Sequence, residues 1–194
     1  MSATCFELEE TQGVRLLRLI SADGTNRLTR EVVVALAQAI SELATAARPL
    51  VIAGNERFFS AGADLREIAG LDAASAYEFS KMGQGLMREI DNFPAPIYAA
   101  ISSYCMGGGL DLALACRHRI ASPHAVFGHR GAALGLITGW GGTQRLPRLI
   151  GKPAALQMFV AAEKLSAPYA LRIGLIDAIA ENPVAETIRR IQAS

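Results

Sequence analysis

The stretch YCMGGGLDLALAC, Tyr104 to Cys116, constrains the fold more than any other part of this chain. Three consecutive glycines, Gly107 to Gly109, precede an apolar run that keeps one carboxylate, Asp111. Each glycine costs backbone entropy and supplies no side chain to bury, so a packed core has no use for three of them. They mark a place where another group must approach the backbone closely. The run that follows is apolar on all sides, which predicts a central rather than a surface helix. PIYAAIS, just before it, reads as a strand buried on both faces.

The same succession of buried strand, small-residue loop and helix start occurs earlier. LVIAG, Leu50 to Gly54, reads as a buried strand, and in FFSAGADL the residues Ser60, Ala61, Gly62 and Ala63 lead to Asp64. Each loop can expose backbone N–H groups at a helix amino end, where unpaired donors and the helix dipole favour negative charge. Two such ends can hold one anion. Elsewhere, Phe6 to Glu9 and Val14 to Ile20 read as a hairpin around Thr11, Gln12 and Gly13. Thr29 caps a predicted helix with Val32, Leu36, Ile40 and Leu43 on one face, and a second helix runs from about Asp72 to Phe93. Short strands at Arg119 to Ala121 and Val126 to Gly128 precede a glycine-punctuated loop and helices between Gly141 and Ile173. Strands alternating with helices predict an α/β layer structure.

Composition removes several classes of function. With 51% hydrophobic residues, 194 residues can build a full core, and one globular domain is the default. Nineteen basic against eighteen acidic residues leave no Lys/Arg block to track a phosphate backbone, so nucleic acid is not expected as a partner. Cys5, Cys105 and Cys116 show no metal or redox spacing, and no metal site is expected. MSATCFELEE lacks the features of a signal peptide and no apolar run reaches membrane-spanning length, which predicts a soluble, cytoplasmic protein. The loops lack GxGxxG and GxxxxGK[ST], and no GxSxG elbow occurs. A thiol nucleophile at Cys105, served by His118, His124 or His129, is disfavoured because a cysteine in an apolar stretch is more often inert packing.

Four blocks in order, FFSAGADLREI, AAISSYCMGGGLDLALACRHRIAS, FGHRGAALGLITGWGGTQRLPRLIGK and LSAPYALRIGLIDAI, resemble the enoyl-CoA hydratase/isomerase (crotonase) family. The similarity runs from about Phe6 to Ile179. It implies a crotonase-like spiral of ββα units in an acyl-CoA-binding domain over residues 1–180, followed by a short C-terminal segment, 181–194. It also implies acyl-CoA thioester substrates, with coenzyme A as part of the substrate and no separate cofactor. By motif position the N–H groups of Ala63 and Gly108 would form an oxyanion hole, and Ala63, Asp64, Leu65 and Arg66 would lie along the bound thioester. Donors already aimed at a thioester oxygen stabilise the enolate without reorganising, which gives the three glycines a chemical purpose.

The chain departs from the family at three places. Asp111 stands where a hydratase carries one of its two water-binding glutamates, and it is shorter by about 1.5 Å, one carbon–carbon bond. Gly131 stands where the other glutamate is expected, and a glycine transfers no proton. Thr138, Gly139 and Trp140 occupy the positions at which other family members place acids or aromatics; His129 and Arg130 are the nearby substitutes, and Trp140 is expected to pack against the acyl pocket. Lastly, family members continue for some tens of residues beyond the GLIDAI-like strand, with helices that support trimers or hexamers. Here ETIRRIQAS ends at Ser194, which puts the expected homo-oligomer and the pocket's closure in question. Two functions of different class fit: an acyl-CoA-processing enzyme that stabilises a thioester enolate without efficient two-glutamate hydration, or a non-catalytic acyl-CoA-binding or assembly subunit. The intact donor loops and Asp111 favour the enzyme, with restored carboxylates, Gly131→Glu and Asp111→Glu, expected to raise hydration.

Overall fold

The chain enters its first sheet through a two-residue turn. Gln12 and Gly13 both have positive φ (53° and 78°), the backbone that matches the twist of a tight hairpin. It joins β1 (Phe6–Thr11) to β2 (Val14–Leu19) with Thr11 opposite Val14, so Thr11 belongs to the strand and not to the predicted turn. The computed structural model describes residues 5–193; the first four residues of the acidic amino-terminal stretch, and Ser194, lie outside them.

Along the chain follow β3 (Arg27–Leu28), α1 (Arg30–Ala44), β4 (Leu50–Ala53), β5 (Phe58–Ser60), β6 (Gly62–Ala63), α2 (Leu65–Ala69) and α3 (Ala73–Asp91). Then come β7 (Ile97–Ile101), β8 (Tyr104–Met106), α4 (Gly108–Ala115), β9 (His118–Ala121), β10 (Val126–Gly128) and a 3₁₀ turn at Gly131–Leu134. The last part holds α5 (Gly142–Ile150), α6 (Lys152–Ala161), β11 (Leu165–Ser166), α7 (Ala167–Arg172), β12 (Ala178–Ile179) and α8 (Pro183–Gln192). Three successive units share one logic. β4, β7 and β9 lie side by side and parallel in a six-stranded sheet of order β1-β2-β4-β7-β9-β12. Each is followed by a three-residue strand, β5, β8 or β10, in a second sheet of order β11-β10-β8-β5. The chain then turns into helix. This is the ββα spiral that the resemblance implied.

Side-chain pattern explains the layering. β4 and β7 are buried at every residue because the large sheet is covered on both faces. Leu17, Ile52, Ala99 and Ile101 join the main core with α1, α3 and α4, whereas Leu16, Val51, Tyr98 and Ile120 face a second cluster. α8 covers that second face with Val184, Ile188 and Ile191, at helical steps of four and three, so ETIRRIQ is amphipathic rather than merely polar. In α1, Thr29 caps as expected, accepting from the Val32 N–H, but Val33 is the buried residue and Val32 is only half-buried. The helix begins one residue later than its cap, and its 100° steps turn Val33, Leu36 and Ile40 inward. Asp72 and Ser75 close a reciprocal capping box on α3. No helix among the described residues is long and apolar enough to cross a membrane.

Candidate active site

The two small-residue loops meet. Gly62, at φ +91°, comes so close to the second loop that a side chain there would lie 2.9 Å from Gly108 N and 2.6 Å from the Met106 carbonyl. A Cβ on Gly108 would in turn sit 3.3 Å from Ala63 N and 2.6 Å from the Trp140 ring. Gly109 packs on Ser60, whose β-carbon would be 2.6 Å from an added Cβ. Close approach by Ala63, Trp140 and Ser60 thus accounts for the last two glycines of the triplet, and Gly107 turns the chain into α4 at φ +51°. Gly108 is the first residue of α4, so its N–H has no acceptor within the helix. Ser60 fixes the first loop from behind: its hydroxyl donates to Asn26 O at 2.7 Å and accepts from Gly62 N at 3.0 Å.

Beside these backbone groups lies a cavity of about 540 Å³. Leu65, Ile68, Phe79, Leu136, Ile137 and Trp140 give it apolar walls, and Asp111 and His129 are its buried ionisable groups. Trp140 is pinned by its indole N–H, which donates to Phe79 O at 3.2 Å, and by ring contact with Phe79 at 5.2 Å. Leu65, 52% exposed, stands at the rim with Leu134 and Ile137. Asp64 and Arg66 are occupied otherwise: the Asp64 carboxylate caps α2 and binds the Arg66 guanidinium at 2.8 Å. That side-chain bond, more than any other effect, holds the Asp64 carboxyl down at about 2.

Asp111, in the first turn of α4, is 1% exposed. Thr138 donates its hydroxyl to Oδ2. Oδ1 faces His129 Nε2 at 3.4 Å, and neither atom makes a well-formed hydrogen bond. Burial is the main influence on both groups. It raises the Asp111 carboxyl to about 7, against the opposing pull of Thr138, Arg145 and the Gly142 N–H, and it lowers the His129 imidazole to about 4. Gly142, the first residue of α5, lets that helix end reach the pair: an added Cβ would meet Asp111 Oδ1 at 2.2 Å and His129 Nε2 at 3.1 Å.

Of the residues singled out from sequence, Ala63, Leu65, Gly108, Asp111, His129, Arg130, Thr138, Gly139 and Trp140 line this one cavity, and Asp64 and Arg66 do not. Gly131 also lines it. Its carbonyl accepts from Leu136 N at 2.8 Å, and a Cβ would lie 2.7 Å from Leu136 O, so the tight loop leaves no room for a side chain. The contacts of Asp111 with Thr138 and His129, 27 and 18 residues away in sequence, were not foreseen; no local pattern encodes them. Cys105 is fully buried, and burial pushes its thiol well above the usual range, as befits packing. His118 lies elsewhere, stacked on Tyr98 and 3.7 Å from the Asp177 carboxylate. Among the described residues no group of three or more His, Cys, Asp or Glu gathers as metal ligands would.

Residues 9–193 match the family profile described as enoyl-CoA hydratase/isomerase. A probable enoyl-CoA hydratase of Bacillus subtilis (strain 168) is 40% identical over 171 residues, 87% of this chain and 66% of that protein. A crotonyl-CoA hydratase of Syntrophomonas wolfei is 34% identical over 177 residues, 90% of this chain and 68% of that protein. Among solved structures, an enoyl-CoA hydratase from Bacillus anthracis superposes with a TM-score of 0.92 at 30% identity, over 98% of this chain and 76% of that one. DspI of Pseudomonas aeruginosa gives 0.90 at 31% identity, over 100% and 84%. The chain spans about two thirds of the length of the curated relatives it matches.

Proposed function

The chain belongs to the enoyl-CoA hydratase/isomerase family, and from that premise we propose that it processes acyl-CoA thioesters through an enolate held by the N–H groups of Ala63 and Gly108. The observation that supports this reading is the close approach of the two loops at the apolar cavity: a Cβ on Gly108 would lie 3.3 Å from Ala63 N, and both residues line the cavity. In the proposed reaction the thioester oxygen accepts hydrogen bonds from both N–H groups. When a proton leaves the carbon next to the carbonyl, the C–H electrons pass into the enolate and the charge on oxygen meets donors already in place. Asp111, the one carboxylate among the described residues that line the cavity, is the acid–base group. The acyl chain lies among Phe79, Trp140, Leu136 and Ile137, and the rest of the thioester leaves past Leu65. Turnover of a panel of saturated and unsaturated acyl-CoA thioesters, followed by mass spectrometry, tests the proposal; no change in any of them favours the alternative, a binding subunit without catalysis.

Efficient two-glutamate hydration is not part of the proposal, because position 131 has no side chain and no space for one. Restoring the carboxylate therefore meets an obstacle that sequence did not reveal. The obstacle is the Leu136 carbonyl and not a left-handed backbone, since Gly131 is absent from the positive-φ residues. Gly131→Glu alone is expected to leave crotonyl-CoA hydration low and to destabilise the fold by about 1–3 kcal/mol, as overpacking does. Loss of the conjugated enoyl absorbance and thermal unfolding measure the two effects. A tenfold or greater gain in hydration at unchanged stability would show that the loop yields.

A further inference from the structure

We propose that Asp111 and His129 act as one unit that binds a single proton between Oδ1 and Nε2, with His129 positioning Asp111 and setting the pH at which it exchanges protons with substrate. This rests on the acyl-CoA reading above and adds to it the residue that holds the acid–base carboxylate in place. Three observations carry it. Both side chains are more than nine-tenths buried, at 1% and 4% exposure. The two facing atoms, 3.4 Å apart, make no well-formed hydrogen bond, the Gly142 N–H acting on Asp111 only weakly, although a buried polar atom left unpaired costs about 1–3 kcal/mol. One proton placed between them satisfies both at once. Finally, Asp111 Oδ2 is already engaged by Thr138, which fixes the carboxyl plane and leaves Oδ1 for the imidazole.

The surroundings suit such a pair. Phe159 of α6 lies against the imidazole, ring centroids 5.2 Å apart, and excludes water from that side. Arg145 of α5 acts on Asp111 through its charge, and its Nη2 also reaches Met87 O and Asp91. Cys105 of β8 also faces Asp111 and stays a neutral thiol. With the imidazole held low and the carboxyl held high by burial, the pair carries one proton and no net charge between about pH 4 and about pH 7.

The proton balance is closed without any other reactant. In its ionised form the pair takes a proton from the carbon next to the thioester carbonyl, and the C–H electron pair becomes the enolate. The proton then returns to the same carbon, or to the far end of a conjugated dienolate, and the pair ends as it began. The first case is exchange with solvent when water replaces the pair's proton by one of its own before the return, and the second is double-bond isomerisation.

Two measurements test the unit separately from the acyl-CoA reading. In the ligand-free protein, the ¹⁵N resonances of the His129 imidazole are expected to move with a midpoint near neutral pH as Asp111 ionises, and to lose that step in Asp111→Asn. Resonances unchanged from about pH 5 to 9 would overturn the shared proton. In D₂O, deuterium uptake next to the carbonyl of a saturated acyl-CoA is expected to rise through the same midpoint. His129→Gln, whose amide can donate to Oδ1 and favour the carboxylate, is expected to move that midpoint down by about one pH unit or more. A midpoint that stays put while the rate falls would reduce His129 to packing and overturn the proposal. If no acyl-CoA exchanges but the imidazole step is present, the acyl-CoA reading fails and the proton-sharing pair stands.

Discussion

Gly108→Val is expected to abolish processing of acyl-CoA, with a loss of at least about a hundred- to a thousandfold, the cost of one oxyanion donor. The added side chain enters the space in front of Ala63 N, which a bare Cβ would already approach to 3.3 Å. On the proposed reading, a thioester oxygen then reaches neither donor. The structure adds a second effect. The same Cβ would lie 2.6 Å from the ring of Trp140, which is 3% exposed and hydrogen-bonded to Phe79. Valine must push that ring outward, so stability is expected to fall by about 1–3 kcal/mol while the secondary structure persists. Isothermal calorimetry with a non-reactive acyl-CoA, together with thermal unfolding, checks both effects. Unchanged binding would mean that the thioester lies elsewhere than between Ala63 and Gly108.

The case of Gly108 shows which parts of this molecule were legible in sequence. The crowding around Gly108 and Gly109 could be read from the run of residues with no side chains, whereas Gly107 is there for its positive φ and meets no neighbour. What crowds them could not: Trp140 is 32 positions on, and Ser60 belongs to another unit of the spiral. The buried strands LVIA and IYAAI were legible as continuous apolar runs, and the Thr29 cap as a hydroxyl ahead of a periodic segment. The second sheet was harder. β10 was read as Val126 to Gly128, but β5 and β8 have three residues each, too few for any period to show, and the pairing of all three is a property of the spiral. Val184, Ile188 and Ile191 did carry a helical period, yet the charges of ETIRRIQ concealed it. At the site, Asp111 was readable as a carboxylate kept in an apolar helix. Its partners His129 and Thr138 both arrive from the segment between β10 and α5, so only the fold joins them to α4.

Asp111→Asn is expected to lower acyl-CoA turnover by about 10²- to 10⁴-fold, the contribution of one positioned acid–base group, and to stabilise the protein above neutral pH. The sign follows from the shift. Burial raises the carboxyl from 3.8 to about 7, so between those values the folded chain holds a proton that the unfolded chain has lost. Stability of the natural protein from this group is complete below about pH 4, falls as pH rises towards 7, and stays low above it. Three pH units at about 1.4 kcal/mol each set an upper bound of about 4 kcal/mol. His129 acts in the opposite sense: lowered by burial from 6.5 to about 4, it leaves the unfolded chain to bind the extra proton, and stability drops as pH falls through that window. In the natural protein the two slopes oppose one another between about pH 4 and 6.5, while in Asp111→Asn the histidine slope remains alone. The amide can still accept from Thr138 and donate to His129, so little packing is lost. Chemical unfolding at about pH 4, 6 and 8 should show the variant more stable at the highest pH, with the gap closing towards the lowest. A natural protein more stable than the variant at pH 8 would mean that Asp111 is held as a carboxylate by a cation, leaving His129 without a proton to share; a stabilised but inactive variant would mark Asp111 as a residue kept for chemistry at the expense of the fold.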